Sequence, residues 1–227
     1  MDNLSIIITA DGSHSLYNKE LEETYHSVHG AVQESKYVFI KQGLEYFSEA
    51  HPQKRDLRIL EIGFGTGLNA FLSEKWSTEV GINIYYQSLE KFPLDKDLYE
   101  PLNYANEPAA KSLFFSLHTA PWDSIQRISP TFILEKRRVD LLSNDLLPAS
   151  WFDIVFYDAF APSKQPALWS LDILKKTTDS LSTDGVWVTY CAKGQLKRDL
   201  KSLHLEVQAL PGPPGKREML RAVKRVI

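Results

Sequence analysis

The chain has 227 residues, 43% of them hydrophobic and 24% charged, with 26 Lys and Arg against 29 Asp and Glu for a formal net charge of −3. This composition excludes wholesale disorder and permits a sizeable core, and the length suits one large domain. The N-terminus, Met1-Asp2-Asn3-Leu4, lacks a basic stretch followed by an apolar run, and no segment approaches the roughly 20 apolar residues that span a bilayer, so a soluble cytoplasmic protein without a membrane partner is expected. Cys191 is the single cysteine, which excludes an internal disulfide and any Cys-rich zinc site and reads as a core residue.

Charge is unevenly distributed. Residues 191–227 hold nine Lys or Arg (Lys193, Lys197, Arg198, Lys201, Lys216, Arg217, Arg221, Lys224 and Arg225) against three acids, a net of +6, which leaves −9 for the first 190 residues. A basic end on a weakly acidic protein suggests a polyanionic partner, with a solvated charged surface as the plainer alternative.

In chain order, Leu4 to Thr9 reads as a strand that turns at Asp11-Gly12. From Ser35, taken as an N-cap, Tyr37, Ile40, Leu44 and Phe47 recur at helical spacing. Residues 1–50 form an N-terminal extension packed on a core domain of 51–227. The core alternates: strand Leu57 to Ile62, helix Gly67 to Trp76, strand Ile82 to Leu89, then Pro-punctuated helical material to Leu117. A hairpin or strand pair covers Phe132 to Leu142, and a strand Asp153 to Tyr157. A helix follows over Ala167 to Leu181, then a strand over Val186 to Tyr190. The end reads helix, strand, loop, strand, with the loop at Pro211-Gly212-Pro213-Pro214-Gly215. The expected fold is α/β: an open, mostly parallel, doubly wound sheet with helices on both faces and an antiparallel edge, its ligands beyond the carboxyl ends of the strands.

Glu61-Ile62-Gly63-Phe64-Gly65-Thr66-Gly67-Leu68-Asn69 follows a β-rich run and opens a helix, where glycines let backbone approach a nucleotide-like cofactor. A dinucleotide fingerprint needs its third small residue at position 68, which is Leu, so the NAD reading weakens. Glu61 instead gives E-x-G-x-G-x-G, the pattern of methyltransferases that use S-adenosyl-L-methionine. Glu90 ends the next strand, 23 residues beyond Gly67, where a carboxylate can accept both ribose hydroxyls. Asp145 is a candidate for an adenine amino group or a turn acid. Asp158 closes an apolar strand and faces the crevice. His26 and His29 have no cysteine or acidic array beside them, so no metal site is expected, and no G-x-S-x-G elbow marks a hydrolase.

Five ordered segments resemble the MnmC-like methyltransferase family, which completes 5-methylaminomethyl-(2-thio)uridine at the tRNA wobble position. They are Tyr25-His26-Ser27 with Glu34-Ser35-Lys36-Tyr37-Val38-Phe39, Ile62 to Asn69, Leu89-Glu90-Lys91-Phe92-Pro93-Leu94, Asp158-Ala159-Phe160-Ala161-Pro162-Ser163-Lys164-Gln165-Pro166 with Trp169, and Gly215-Lys216-Arg217-Glu218-Met219-Leu220. Nearly the whole chain is covered. It departs from the family pattern at Ala159, Gln165 and Asn144. The resemblance implies a Rossmann-like class I S-adenosyl-L-methionine-dependent methyltransferase, with cofactor held by Glu61, Gly63, Phe64, Gly65, Gly67, Asn69, Glu90, Lys91, Asp145 and Asp158. It also implies a tRNA partner engaged through the anticodon arm. Bifunctional family members carry a flavin-dependent oxidoreductase domain that makes the aminomethyl group; the chain ends at Ile227 without one, so methyl transfer alone is expected, on a precursor from a separate enzyme.

Methylating a primary amine requires it to arrive neutral. An alkylamine of pKa near 10.4 costs about 4 kcal/mol to deprotonate at pH 7. Asp158 is the candidate to orient the amine and accept its proton. Phe160, with the aromatic residues Tyr157 and Trp169, which also read as core, would shape a pocket for a flipped base. Lys164, Lys197, Arg198, Lys216 and Arg217 are candidate phosphate contacts. The competing readings are a small-molecule methyltransferase or aminopropyltransferase of the same fold, and a tRNA-binding module without catalysis.

Overall fold

The computed structural model of the protein describes residues 3–143 and 147–225. It opens with a three-stranded antiparallel sheet of β1 (Leu4–Ile8), β2 (His14–Asn18) and β3 (Glu23–Thr24). The Asp11-Gly12 turn falls between β1 and β2. A continuous helix then runs through α1 (Ala31–Ser35), a π-wound segment (Lys36–Glu45) and α2 (Tyr46–Ala50).

This helix starts four residues before the expected cap. Gly30 precedes it, and Ser35 lies buried inside it with its hydroxyl unpartnered. The reason is a distant cap. The free N–H groups of the first turn go to the β1–β2 turn: Ala31 donates to Thr9 Oγ at 3.2 Å, Val32 to Ser13 Oγ at 3.2 Å and Gln33 to Asp11 Oδ2 at 3.0 Å. These satisfy donors that a local side chain would otherwise take. Burial works against ionisation of Asp11, but the Ser13 and Thr9 hydroxyls and the Ser13 and Gln33 amides hold its carboxyl down at about 2.

The main sheet is built from β4 (Asp56–Ile62), β5 (Asn83–Glu90), β6 (Ser124–Ser129), β7 (Phe132–Arg138), β8 (Phe152–Tyr157), β9 (Leu181–Thr189), β10 (Leu205–Pro211) and β11 (Glu218–Lys224), in the order β10-β11-β9-β8-β4-β5-β7-β6. β7, β5, β4, β8 and β9 are parallel. Antiparallel strands close both edges: β6 on one side, and on the other β11, which inserts between β9 and β10. The expected pair at 132–142 is in fact the β6–β7 hairpin, ending at Arg138. β6 reads Ser-Ile-Gln-Arg-Ile-Ser, too polar to stand out, because only one of its faces is covered.

Side chains alternate across the central strands. Leu57 and Ile59, Ile154 and Phe156, and Val186 and Val188 join one buried cluster, with the long helix, α3 (Leu68–Val80) and α5 (Pro108–Thr119). Leu60 and Ile62, Val155 and Tyr157, and Trp187 join the other, with α6 (Leu171–Asp179) and α7 (Gly194–Ser202). A short helix, α4 (Lys96–Tyr99), packs beside β1, and a 3-10 turn (Pro166–Trp169) precedes α6, breaking the single helix expected over 167–181. Cys191 is buried in the second cluster. Among the described residues, no helix is long and apolar enough to cross a membrane.

The π-wound segment meets β8 and β9 through Gly43, where an added Cβ would sit 3.0 Å from both Phe156 Cε1 and Val188 Cγ2. Interior packing cannot absorb that volume freely. Gly43→Val is expected to lower unfolding free energy by about 1–3 kcal/mol, measured by urea denaturation, and an unchanged midpoint would mean that the helix moves off the sheet at little cost.

Candidate active site

Register sets the site. β4 pairs Ile62 with Leu89 of β5 and with Tyr157 of β8. Gly63, Glu90 and Asp158 therefore leave three adjacent strand ends at one level. β4 and β8 are also where the chain order reverses, the place at which open α/β sheets form a crevice. A cavity of about 1020 Å³ opens there, at the upper end of small-molecule sites.

The glycine loop is shaped for close approach. Gly63, Gly65 and Gly67 have φ of +90°, +49° and +73°, which side-chain-bearing residues avoid. A Cβ on Gly63 would lie 2.9 Å from the Asp158 carbonyl oxygen, and one on Gly65 3.2 Å from the Tyr25 ring. Thr66 is clamped from two sides, by His26 Nε2 at 2.6 Å from its hydroxyl and by His118 Nε2, which donates to its carbonyl at 3.0 Å. Burial pushes these imidazoles down to about 4 and about 3, so both stay neutral. Phe64 lines the cavity but packs its ring edge-on against His118 and Trp122, with the Lys136 ammonium 5.1 Å from its centroid.

The acids are held individually. Glu90 accepts the Gly65 amide at 3.1 Å and the Phe92 amide at 2.7 Å, one on each oxygen. Asp158 accepts from Asn69 Nδ2 at 2.8 Å. Burial pushes its carboxyl up to about 7; the Glu34 charge adds to the rise, while the Asn69 bond and the Lys216 charge oppose it. Glu61 is completely buried behind the loop and does not line the cavity. Ser88 donates to its Oε2 at 2.6 Å, its Oε1 has no partner, and burial, reinforced by Asp158, drives its carboxyl to about 8. Gly67 also lies off the wall, whereas Gly63, Gly65, Asn69, Glu90 and Lys91 line it. Lys91 pairs with Asp140 at 2.7 Å. Asp145 lies outside the described residues.

Phe160 lines the cavity and meets Tyr25 edge-on at 5.0 Å. Tyr157 and Trp169 meet edge-on in the core, off the cavity wall, and the Trp169 indole donates to the Phe160 carbonyl at 2.8 Å, steadying the loop after Asp158. The basic residues disperse. Lys197 pairs with Glu218 at 2.5 Å, Lys164 with Glu22 at 3.7 Å, and Arg198 donates to Gln195 at 2.7 Å. Arg217 is exposed, and Lys216 points into the cavity, paired with Glu34. Much of the remaining basic end is structural: Arg221 lies over the Tyr46 ring at 3.4 Å, Lys224 caps the Leu181 carbonyl at 2.8 Å, and Arg225 bridges Asp184 and Glu206.

Sequence reasoning assigned no role to Glu23, Glu34, Tyr25 or Tyr190, all of which line the cavity. Three of them come from the N-terminal segment, whose place over the strand ends no local pattern reveals; the ordered Tyr25-His26-Ser27 and Glu34 match is the one signal that singled that segment out. Among the described residues, the carboxylates of the wall (Glu20, Glu23, Glu34, Glu90, Asp95, Asp140 and Asp158) face only Lys91 and Lys216, and both lysines are ion-paired. The cavity favours cations.

A carboxyl raised from its unfolded value binds its proton more tightly in the folded state, so stability falls as pH rises from about 4 through about 7. Asp158→Asn keeps an acceptor for Asn69 and removes that loss. Its melting temperature relative to wild type is expected to rise by roughly 8–16 °C between pH 4 and pH 8, the shift for about 4 kcal/mol in a domain of this size. A pH-independent difference in thermal melts would contradict the raised carboxyl.

Residues 122–225 match the family described as S-adenosyl-L-methionine-dependent methyltransferase. The chain is similar to the "tRNA 5-methylaminomethyl-2-thiouridine biosynthesis bifunctional protein MnmC" of Idiomarina loihiensis, at 35% identity over 88% of this chain and 35% of that protein. The protein of the same name from Pseudoalteromonas atlantica is 32% identical over 96% of this chain and 33% of that one. The chain thus spans about a third of the length of these curated relatives. The crystal structure of MNMC2 from Aquifex aeolicus superposes with a TM-score of 0.79 at 27% identity, covering 99% of this chain and 71% of that one. Residues 122–225 thus match an S-adenosyl-L-methionine-dependent methyltransferase family, and over nearly its whole length the chain is similar in sequence to the MnmC proteins and in fold to MNMC2.

Proposed function

We propose that this domain methylates the nitrogen of a 5-aminomethyl group on a tRNA wobble uridine, the amine being made by a separate reaction site. The observation that carries the reading is a contrast of charge. The cavity is acidic, which suits a cationic donor and an amine acceptor. Lys164 and Lys193 exert opposing fields on Glu23 at its wall, and Arg217 is exposed, which suits a polyanion outside. The relatives' names supply the acceptor's identity.

The residues fit the cofactor. The cavity is large enough for a nucleoside together with an acceptor, a Cβ on Gly63 or Gly65 would crowd Asp158 or Tyr25 at its wall, and Asn69 keeps an unpartnered buried oxygen at the same wall. Glu90, fixed by two amides, retains carboxylate lone pairs for ribose hydroxyls. Lys91 and Asp140 border this end. When bound, S-adenosyl-L-methionine supplies a methyl group on a cationic sulfur. Glu61 acts from behind the loop, through Ser88 and the Asp158 field.

Asp158 does the proton work in this reading. With its carboxyl near 7, both forms are populated at neutral pH, the condition under which a general base is most effective. Held by Asn69, it orients the acceptor amine and takes its proton directly or through one water. Phe160 and Tyr25 form the aromatic edge against which a uracil removed from its stack would lie. Arg198 and Arg217, with Lys164 and Lys197, are the phosphate contacts of the anticodon arm.

Transfer of labelled methyl from S-adenosyl-L-methionine to tRNA bearing aminomethyluridine tests the assignment. Wild type is expected to label it and Asp158→Ala to lose about 10²-fold or more in turnover, with the cofactor Kd by calorimetry little changed; unchanged turnover rejects the role of Asp158. The pair Arg198→Ala and Arg217→Ala is expected to weaken tRNA binding and to reduce the slope of log K against log salt by about 2, whereas an unaltered slope moves the phosphate surface elsewhere.

A further inference from the structure

Lys216 differs from the other cations of the C-terminal segment because the backbone delivers it inward. The β10–β11 connection closes tightly, Gly212 N–H donating to the Arg217 carbonyl at 3.1 Å and Lys216 N–H to the Pro213 carbonyl at 2.9 Å. A Cβ on Gly212 would lie 2.4 Å from the Lys216 carbonyl oxygen. Gly215 has φ of +81°, and a Cβ there would overlap the His29 ring at 1.9 Å. The loop is thus pressed against the N-terminal segment, which neither glycine position would allow with a side chain. Lys216 then enters the cavity wall, where its ammonium donates to Glu34 Oε1 and lies 3.8 Å from the centroid of the Tyr190 ring. Glu34 is itself buried and fixed by the Ser27 amide on Oε2 at 2.7 Å.

This placement answers a chemical difficulty. Methylation needs the lone pair of a neutral amine, yet carboxylates beside an amine stabilise its ammonium form. Around this end of the cavity stand Glu34 from α1, Glu23 from β3, the neutral His26, Asp158 beyond β8, and Tyr190, Cys191 and Lys193 beyond β9. Each of Glu23, His26, Asp158 and Cys191 feels the Lys216 charge. Without it, the acids at this end would face Lys164 and Lys193 alone. A cation beside an amine lowers the cost of losing the amine's proton.

We propose that Lys216, held by Glu34 over the face of Tyr190, is a positioning residue that offsets the cavity's carboxylates so that the acceptor amine is neutral when it reacts, and that it is not a phosphate contact. The inference rests on the amine-methylation reading above. It predicts opposite effects for the two halves of the ion pair. Lys216→Met is expected to lose about tenfold in kcat/KM at pH 7 and to regain it toward pH 9, the alkaline shift of about one pH unit that removing one nearby charge produces. Glu34→Gln, which keeps an acceptor for the Ser27 amide, shifts the profile toward acid, and Lys216→Arg keeps the wild-type profile. The salt slope of tRNA binding stays at its wild-type value in all three. A loss in Lys216→Met that is equal at every pH, or that comes as a higher KM for tRNA with a flatter salt slope, overturns the proposal.

The Asp158 carboxyl, followed by carbon-13 NMR in the protein without cofactor or acceptor, provides a readout independent of turnover: it titrates higher in Lys216→Met and lower in Glu34→Gln. Titration that does not move overturns the proposal. Titration that moves as expected in a wild-type protein unable to label aminomethyl tRNA keeps the electrostatic assignment and refutes the acceptor.

Discussion

Three parallel strand ends converge on one cavity, and the acids they bring with them must coexist out of water. The register between β4, β5 and β8 fixes this, because Gly63, Glu90 and Asp158 follow paired residues at the same height. Like charges gathered in a poorly hydrated space oppose folding unless they are protonated, hydrogen-bonded or paired. Each remedy is used. Glu61 and Asp158 hold protons into the neutral range, Glu90 accepts two backbone amides, and Asp140 and Glu34 take lysines. The same field that burdens the fold makes the cavity a receptor for positive charge.

The N-terminal segment completes the enclosure. β1–β3 and the long helix do not extend the main sheet. They close its open crevice, with Tyr25 against the glycine loop, His26 on Thr66 and Glu34 facing Asp158. The segment's own order depends on the β1–β2 turn capping α1 from a distance through Thr9, Asp11 and Ser13. The turn, the helix and the active-site wall are therefore one mechanical unit, and β11, which carries Met219 and Leu220 into the core, brings the Gly212 to Arg217 loop to meet it.

Much of this was legible in the sequence, for physical reasons. β8, buried along its length, reads as an apolar run broken only by Asp153, β4 is apolar at Leu57, Ile59, Leu60 and Ile62, and the glycines at 63, 65 and 67 marked a turn that only they could make. Glu90 and Asp158 could be placed because strand ends in an alternating α/β pattern point to the crevice. What escaped depended on contacts distant in sequence. Ser35 had the chemistry of a cap, but Asp11 and its neighbours supplied the cap from 22 residues away. β6 was too polar to register as a strand. Glu61 belonged to the motif without reaching the cavity, and Lys216 read as one more surface cation because its inward path depends on Gly215 meeting His29. Net charge misled in the same way, since Arg221, Lys224 and Arg225 make structural contacts within the fold.

The most direct measurement is a crystal structure of the protein with S-adenosylhomocysteine. The nucleoside is expected in the cavity at the ends of β4 and β5, its ribose hydroxyls on Glu90 and its thioether sulfur directed toward Asp158 and Phe160. Density for the nucleoside on another face, or a cavity that excludes it at saturating concentration, would contradict the assignment of the acidic crevice as the methyl-transfer site.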